Sequence, residues 1–255
     1  MIELRGVSKV YGGLRAVGPL SLTIAEGQLV ALLGGSGCGK TTTLKMINGL
    51  ITPDEGEVLI EGVLAGREPP YRLRRRIGYV FQEVGLFPHM TVQENIAVGP
   101  RLANWERART AARVAELLTL VALPPDVGHR LPAALSGGQR QRVGMARALA
   151  AGPSIMLMDE PFGALDPLTR NGLGRDYRAL HDRLGLTTVM VTHDVMEALL
   201  LADRIIVLDK GAILADGTPA QLLGDEANPP VRDLMQTPLR QAERVGALLR
   251  RPHGG

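Results

Sequence analysis

The chain has 255 residues, of which 45% are hydrophobic and 22% are charged, and its formal net charge at pH 7 is +3. These values are ordinary for a globular protein and exclude wholesale disorder, and the lack of an apolar run of 18 residues excludes a membrane-spanning helix. The opening MIELRGVSKV has no apolar signal core and Cys38 is the single cysteine, so we expect a reducing compartment without export.

The first part of the chain is predicted to alternate strands with turns and one helix. The predicted strands cover residues 2–10, 20–24, 28–33, 57–60 and 77–81, and the predicted helix covers 40–48. Residues 28–33 are almost entirely apolar, as expected of a strand that is buried on both faces. The basic cluster Arg72 to Arg76 is short, so we interpret it as a solvated face and expect no nucleic acid as a partner.

The middle of the chain changes to a helical pattern between about residues 91 and 151. Ala108, Ala111, Ala115 and Leu118 recur at helical spacing, and Asn104 is the predicted N-cap of that helix. Strand patterns then return at 155–158, 187–191, 204–208 and 212–214, with helices at 168–184 and 194–201. We therefore predict an α/β fold with a mostly parallel sheet and an inserted helical block. Beyond residue 220 we expect one or two short helices.

A glycine-rich loop connects the buried strand 28–33 to the helix 40–48. Its sequence GGSGCGKT fits G-x-x-x-x-G-K-[ST] and lies between a strand and a helix, as this pattern requires. Backbone N–H groups and the helix N-terminus can bind phosphate, Lys40 can reach the β- and γ-phosphates, and the Thr41 hydroxyl can ligate Mg²⁺. The predicted nucleotide-binding residues of this loop are Gly34, Gly35, Ser36, Gly37, Cys38, Gly39, Lys40, Thr41 and Thr42.

Two carboxylates follow the apolar run 155–158. We expect Asp159 at the carboxyl edge of the sheet beside the phosphate loop, where it can hold Mg²⁺ directly or through water. Glu160 points elsewhere and is placed to polarise an attacking water. The alternative is an ordinary strand followed by an acidic turn.

The sequence LSGGQ at residues 135–139 is a second glycine-rich turn that opens a helix. With this motif the chain resembles the ATPase subunits of ATP-binding-cassette (ABC) transporters. In that family the motif binds the γ-phosphate held by the other protomer, so the resemblance implies ATP, Mg²⁺ and a second copy of the chain. The residues implied in this contact are Ser136, Gly137, Gly138 and Gln139.

Further family landmarks follow in the expected order. The resemblance implies that Tyr11 stacks on adenine and that Gln82 senses Mg²⁺ and the attacking water, which adds Gln82 to the metal residues Thr41 and Asp159. It also implies that Asp166 lies in the loop that crosses to the partner subunit. His193, 33 residues after Glu160, matches the switch histidine. The implied catalytic residues are therefore Glu160, His193 and Gln82.

The resemblance covers about residues 1–220 and implies a phosphate-loop ATPase core with an antiparallel N-terminal β subdomain and a helical subdomain at about 91–151. Residues 221–255 are expected to form a short extension without a regulatory domain. One departure is Gly35, where relatives often carry proline. Glycine there is expected to loosen the loop slightly without removing a phosphate contact.

The amino-acid sequence around these motifs is similar to that of the quaternary-amine importers, which take up glycine betaine, carnitine, choline or proline betaine. The segments that carry this similarity are residues 41–48, 77–82, 85–91 and 158–167. Importers of amino acids, polyamines or oxyanions remain alternatives, as does a non-transport ABC ATPase. The latter usually carries a long coiled-coil insertion, and residues 41–135 hold no sustained heptad run.

An importer of this kind implies transmembrane permease subunits as partners and, indirectly, an extracytoplasmic solute-binding protein. It also implies a peripheral location at the cytoplasmic face of the plasma (inner) membrane. We expect the apolar residues Leu86, Phe87 and Met90, which follow Gln82, to form part of the groove for the permease; local packing is the alternative. A basic tail helix around Arg240 and Arg244 is interpreted as exposed and frayed.

Overall fold

The computed structural model describes residues 1–224 and 227–249 of the chain. Ten strands are found in this part, namely β1 (Ile2–Tyr11), β2 (Leu14–Ile24), β3 (Leu29–Gly34), β4 (Glu55–Ile60), β5 (Val63–Leu64), β6 (Ile77–Val80), β7 (Ile155–Asp159), β8 (Thr187–Thr192), β9 (Arg204–Asp209) and β10 (Ala212–Gly217). The helices of the same part are α1 (Lys40–Ile47), α2 (Pro70–Arg75), α3 (Val92–Leu102), α4 (Arg107–Leu120), α5 (Gly137–Leu149), α6 (Pro167–Leu184), α7 (Val195–Leu201), α8 (Pro219–Leu223) and α9 (Pro229–Leu249). Short 3-10 turns cover Pro125–His129 and Pro132–Ala134.

The larger sheet has six strands in the order β10-β9-β3-β8-β7-β6. Strands β9, β3, β8, β7 and β6 are parallel to one another, and β10 pairs antiparallel at the edge. A second sheet, in the order β2-β1-β4-β5, is antiparallel. The predicted α/β class with a mostly parallel sheet and an N-terminal antiparallel sheet is confirmed. The carboxyl ends of β3, β7 and β8 meet at one edge, which is where ligands bind in open α/β sheets.

Strand β3 lies between two hydrophobic cores. Leu29, Ala31 and Leu33 belong to a cluster with the helical block, whereas Val30 and Leu32 belong to a cluster with α1 and the N-terminal sheet. All five side chains are buried. This explains why the sequence of β3 is apolar at every position and does not alternate.

The helical block between β6 and β7 contains α3, α4 and α5. The alanine spacing predicts α4, but the predicted cap of this helix is wrong. Helix α4 begins at Arg107 with Glu106 at the N-cap position. Asn104 instead has a φ of 57° and its N–H donates to the carbonyl of Arg101, so it ends the turn that follows α3. Asparagine tolerates this left-handed conformation better than most residues, and the sequence pattern gave no sign of that role.

The region after residue 220 is more ordered than expected. Helix α9 has 21 residues, and Val231 and Met235 on its first turns are fully buried in the core that includes the helical block. Helix α9 is therefore longer than the short helices expected, and its first turns are packed against the core. Arg240 and Arg244, around which an exposed helix is expected, are both exposed. Residues 250–255 lie outside the described part. Within that part, no helix is both long and apolar enough to cross a bilayer.

The basic cluster on α2 is used mainly within the protein. Arg74 donates to the carbonyl of Gly49, and Arg75 donates to that of Leu102. Arg76 forms ion pairs with Glu61 and Glu68. These arginines join α2 to the ends of α1 and α3.

Candidate functional site

In the loop between β3 and α1, the side chain of Lys40 is hydrogen-bonded to backbone carbonyls at the start of the same loop. The Nζ atom of Lys40 donates to the carbonyl oxygens of Gly34 and Gly35 at 2.8 Å each. Gly39, just before α1, has a φ of 100°, and a Cβ there would lie 2.5 Å from the carbonyl oxygen of Ala16. Only glycine fits this position, because both the conformation and the close approach of β2 exclude a side chain.

A cavity of about 270 Å³ lies beside this loop. Its lining residues are Tyr11, Ala16, Gly37, Cys38, Gly39, Lys40, Thr41 and Thr42. The structure thus brings the distant Tyr11 next to the loop. Tyr11 is 48% exposed, and Lys9 Nζ lies 5.7 Å from the centroid of its ring. A nucleotide base can therefore reach the Tyr11 ring while its phosphates lie on the loop.

Two candidate metal ligands already touch each other. The Thr41 hydroxyl donates to Oδ1 of Asp159 at 2.9 Å. Burial raises the pKa of Asp159, while the hydrogen bond from Thr41 and the charge of Lys45 act in the opposite direction. Partial burial raises the pKa of the neighbouring Tyr79, and the charge of Asp159 raises it further.

This pair of oxygens fits Mg²⁺ chemically. Magnesium is usually bound by one or two side-chain oxygens together with substrate phosphates and water, and not by a full cage of protein ligands. In the described part of the chain, no group of three or more His, Cys, Asp and Glu side chains could form such a cage. Thr41 and Asp159 would supply the side-chain oxygens, and a nucleotide on the adjacent phosphate loop would supply the phosphate oxygens.

The three predicted catalytic side chains meet at one oxygen atom. Oε2 of Glu160 lies 3.1 Å from Nδ1 of His193 and accepts a hydrogen bond from Nε2 of Gln82 at 3.3 Å. Glu160 has a φ of 44°, and its N–H donates to the carbonyl of Val191 at the end of β8. The ends of β6, β7 and β8 therefore bring together three residues that are far apart in the sequence.

The LSGGQ turn lies at the start of α5. Ser136 is the N-cap residue: its hydroxyl accepts from the N–H of Gln139 at 3.2 Å, and its own N–H donates to Oε1 of Gln139 at 3.0 Å. A Cβ at Gly138 would lie 2.7 Å from Cγ2 of Thr169, and one at Gly137 3.5 Å from Leu165. The turn thus packs on the start of α6 and is not among the described residues that line the phosphate-loop cavity.

Asp166 begins helix α6. Its carboxylate accepts from the N–H of Thr169 at 3.0 Å. Hydrogen bonds from the side chain and the N–H of Thr169 lower the pKa of Asp166. It is therefore ionised at neutral pH on an exposed loop, next to the LSGGQ turn.

Several residues at this edge were not predicted from the sequence. Arg170 donates to Asp194 at 2.9 Å and to the carbonyl oxygens of Gly163 and Leu165. Arg147 donates to the carbonyl oxygens of Val84 and Gly85, just after Gln82. No pattern around these arginines marks them, because only the fold brings their partners near, namely carbonyl groups and, for Arg170, also the Asp194 carboxylate. The capping pair Thr91 and Glu94 at the start of α3 could have been found from its S/T-x-x-E spacing.

Comparison with known proteins places this geometry in a family. The family model described as "ABC transporter" matches residues 17–163. A glycine betaine/carnitine/choline transport ATP-binding protein of Bacillus subtilis is 51% identical over 229 residues, covering 89% of this chain and 60% of its own length. A glycine betaine uptake system ATP-binding protein of Escherichia coli is 49% identical over 232 residues, covering 91% and 75%. A sulfate/thiosulfate import ATP-binding protein of Thermosynechococcus vestitus is 48% identical over 255 residues, covering 96% and 74%.

A solved structure agrees with these sequence matches. The ATP-binding cassette MJ0796, described as a dimer in a post-hydrolysis state bound to ADP and Pi, has a TM-score of 0.78 and 34% identity, covering 86% of this chain and 99% of its own. This chain spans only about three fifths of the Bacillus subtilis relative. The family match, the identity and the site geometry agree, and the chain belongs to the ATP-binding proteins of the ABC transporter family.

Proposed function

We propose that this chain hydrolyses ATP as the ATP-binding subunit of an ABC importer. The observation that carries the proposal is the meeting of Glu160 with His193 and Gln82 at the sheet edge that also holds the phosphate loop. A carboxylate fixed by two side chains, beside a lysine and a threonine that can bind a nucleotide, is the arrangement needed to direct water at a γ-phosphate.

The residues of the loop bind the nucleotide in this proposal. N–H groups between Gly37 and Thr42 bind phosphate oxygens, and Lys40 exchanges its two carbonyl partners for the β- and γ-phosphates. Bound Mg²⁺, held by Thr41, Asp159 and Gln82, would neutralise charge on these phosphates. Tyr11 packs on the adenine base.

Glu160 acts as the general base. Both contacts to its carboxylate, from Gln82 and from His193, are made at Oε2. Among the described residues, Oε1 is thus left to accept the proton of the attacking water while Oε2 is held. His193, with a proton on Nδ1, orients Glu160 and presents its other ring edge toward the γ-phosphate.

A second copy of the chain would complete each site. The LSGGQ turn is a helix N-terminus with a serine hydroxyl, which is suited to an anion. Since this turn lies apart from the phosphate-loop cavity of its own copy, the proposed partner of Ser136, Gly137, Gly138 and Gln139 is the γ-phosphate on the other copy. The dimeric state of MJ0796 supports this arrangement. Asp166 would lie in the contact between the copies.

The proposed contact with a permease lies on the helical block. A cavity of about 790 Å³ is bordered by α3, α4 and the turn after α4. Apolar side chains including Ala97, Val114 and Leu118 line it, with Arg101 and Arg107 among its polar lining residues. We assign it to a short helix of a transmembrane permease subunit, whose aqueous face would meet the arginines. In this proposal the chain is a peripheral subunit at the cytoplasmic face of the plasma (inner) membrane.

The segment after Gln82 joins this groove to the LSGGQ helix. Asn95 of α3 accepts from the N–H of Phe87 and donates to the carbonyls of Phe87 and Met90. Arg147 of α5 holds the carbonyls of Val84 and Gly85. Leu86 packs against the core, whereas Phe87 is 41% exposed. A movement of this segment would therefore pull on both α3 and α5.

The proposed cargo is a quaternary amine such as glycine betaine, choline or carnitine. The Bacillus subtilis relative, a glycine betaine/carnitine/choline transport protein, and the Escherichia coli relative, a glycine betaine uptake protein, support it. The alternative is another small solute, and an oxyanion is supported by the sulfate/thiosulfate relative. In both cases an extracytoplasmic solute-binding protein would deliver the cargo and contact this chain only through the permease.

The deciding experiment reconstitutes the chain with its permease subunits in lipid vesicles and measures ATP hydrolysis. We expect stimulation by the binding protein loaded with glycine betaine or choline, and no stimulation with sulfate. Lys40→Ala should abolish hydrolysis because the loop loses its phosphate-binding amine. Stimulation by sulfate alone would reassign the cargo to an oxyanion. Hydrolysis that no loaded binding protein stimulates would contradict the importer assignment.

A further inference from the structure

One guanidinium joins the two loops that carry the proposed catalytic pair. Arg170, in the first turns of α6, donates from Nη1 to Oδ2 of Asp194 at 2.9 Å. Its Nη2 donates to the carbonyl oxygens of Gly163 and Leu165 at 3.2 Å each. Gly163 and Leu165 belong to the loop after Glu160, and Asp194 directly follows His193. The same side chain therefore fixes both loops to one helix.

The backbone around His193 depends on Asp194. Oδ1 of Asp194 accepts from the N–H groups of Met196 and Glu197, which caps α7, and its own N–H donates to Oγ1 of Thr192 at 3.0 Å. The His193 side chain is 60% exposed, while that of Asp194 is 28% exposed. Packing holds the histidine ring weakly, so its direction follows from the backbone on either side, which Asp194 and Arg170 anchor.

A buried carboxylate gives a second, independent reason for a cation here. Glu197 is 8% exposed; its Oε2 accepts from the Thr192 hydroxyl at 2.6 Å. Its Oε1 has no hydrogen-bond partner in the described part of the chain and lies 3.7 Å from Nε of Arg170. Burial raises the pKa of Glu197, which the Arg170 charge counteracts. Arginine suits this position because its planar fork can face two carboxylates and two carbonyls at once, and an ammonium cannot.

We propose that Arg170 is a positioning residue for ATP hydrolysis, which sets the distance between His193 and Glu160 and ties it to the loop 163–166. This inference rests on the proposed ATPase activity. If the loop 163–166 is displaced by contact with a second copy of the chain, the Arg170 guanidinium transmits the displacement to the backbone of His193. The hydrolytic geometry would then depend on the contact between copies.

The test compares Arg170→Met with Arg178→Met in the purified chain. Arg178 lies two turns along the same helix, forms ion pairs with Asp182 and Asp203 and donates to the carbonyl of Leu201. It is therefore a matched arginine with similar exposure and without contact to either loop. We expect Arg170→Met to lower kcat about tenfold and leave the KM for ATP within about twofold. Arg178→Met should leave kcat unchanged, with a similar loss of Tm.

A double-mutant cycle with His193→Ala separates positioning from general stability. If Arg170 acts through His193, Arg170→Met should have no further effect on kcat in the His193→Ala background. Asp194→Asn, which keeps a good helix cap and removes the ion pair, should lower kcat in the same direction. Full additivity with His193→Ala, or equal loss of kcat in the Arg178 variant, would overturn the proposal. If the unmodified chain fails to hydrolyse ATP, the proposed function fails first.

Discussion

The hydroxyl of Thr41 donates a 2.9 Å hydrogen bond to Asp159, although 118 residues separate them. The contact exists because β3 and β7 both flank β8 and end at the same edge of the sheet. The helix after β3 brings Thr41 to the carboxylate that ends β7. Two hard oxygen ligands are thus paired by the fold itself, which is a requirement for a magnesium site beside a phosphate loop.

The buried, ionised carboxylate of Asp159 is expected to destabilise the folded protein at pH 7. Burial raises the pKa of Asp159 above its ordinary value of 3.8, so the folded protein binds this proton more tightly than the unfolded chain does. The contribution of Asp159 to stability is therefore present below pH 3.8 and is lost as the pH rises through the folded pKa. Asp159→Asn removes the buried charge, so in EDTA at pH 7 it should raise Tm by ~2–4 °C. It should also abolish Mg²⁺-dependent hydrolysis.

Asp182→Asn is the control for that measurement. Its carboxylate pairs with Arg178, which lowers the pKa of Asp182, so neutralising it should not raise Tm. A Tm for Asp159→Asn at or below that of the unmodified chain in EDTA would show that the buried carboxylate is not destabilising.

Glu160→Gln should bind ATP and stop at the closed dimer. The amide keeps the contacts of the carboxylate with Gln82 and His193 but cannot take a proton from water, so kcat should fall by about 10²–10⁴. Gel filtration with ATP and Mg²⁺ should show a dimer that the unmodified chain does not accumulate. Glu116→Gln on the exposed face of α4 is the control. Normal turnover in the Glu160 variant would remove this residue from the base role.

The local motifs of the site can be predicted from the sequence better than the contacts between residues that are distant in the chain. Strand β3, the phosphate loop and the pair Asp159 and Glu160 follow from local patterns, because apolar runs and glycine spacing depend on neighbouring residues only. The meeting of Glu160 with His193 depends on the order of β7 and β8 in the sheet, and it could be expected only from family resemblance. Arg170 was not predicted because its partners, two backbone carbonyls and the carboxylates of Asp194 and Glu197, lie on other loops and on another helix that only the fold brings near.

The same distinction explains the errors in the helical regions. Asn104 has the residue type of an N-cap, but the turn after α3 uses its tolerance of positive φ instead. The start of α9 has only two buried apolar residues, Val231 and Met235, within a polar sequence. Their burial is decided by contact with α7 and α8, so periodicity alone gives too little signal.

Adjacent glycines in the phosphate loop should respond very differently to alanine. A Cβ at Gly34 would lie 2.3 Å from the carbonyl oxygen of Leu208 and 2.6 Å from Sγ of Cys38, whereas one at Gly35 meets nothing within 4 Å. Gly34→Ala should therefore destabilise the fold by about 2–4 kcal/mol and weaken nucleotide binding. Gly35→Ala should change stability by less than about 0.5 kcal/mol. Urea unfolding and nucleotide titration of both variants check this; equal effects would contradict the close approach of β9 to Gly34.

A buried histidine should make stability fall in mild acid. Nδ1 of His181 lies 3.0 Å from the Thr188 hydroxyl, Nε2 lies 3.2 Å from the carbonyl of Gly27, and Tyr177 completes the chain at 2.7 Å from Thr188. The neutral ring can accept from Thr188 and donate to Gly27. Burial, then the charge of Arg178, lowers the pKa of His181, against smaller opposing effects of the Gly27 carbonyl, Asp182 and Asp203.

Protons bind His181 more tightly in the unfolded chain than in the folded protein. The unfolded chain protonates His181 near pH 6.5, above its pKa in the folded protein, so stability from this group is present above pH 6.5 and is lost as pH falls below it. Urea midpoints at pH 7.5 and 5.5 measure the loss. His181→Gln should reduce this pH dependence, and His129→Gln, at an exposed position, should leave it unchanged. Equal slopes for all three proteins would exclude His181 as the source.

Phe87→Asp should separate assembly from folding. Phe87 is 41% exposed in the segment after Gln82. Hydrogen bonds between the Asn95 side chain and the N–H and carbonyl of Phe87 fix its backbone, so the backbone position does not depend on the ring. The ring contacts, to Arg147 at 5.9 Å and His89 at 6.2 Å, are loose. We therefore expect a Tm within about 2 °C of the unmodified chain but loss of co-purification with the permease subunits. Tyr71→Asp, at a similarly exposed aromatic on α2, should leave assembly intact. A Phe87→Asp subunit that still assembles and supports transport would exclude this ring from the permease contact.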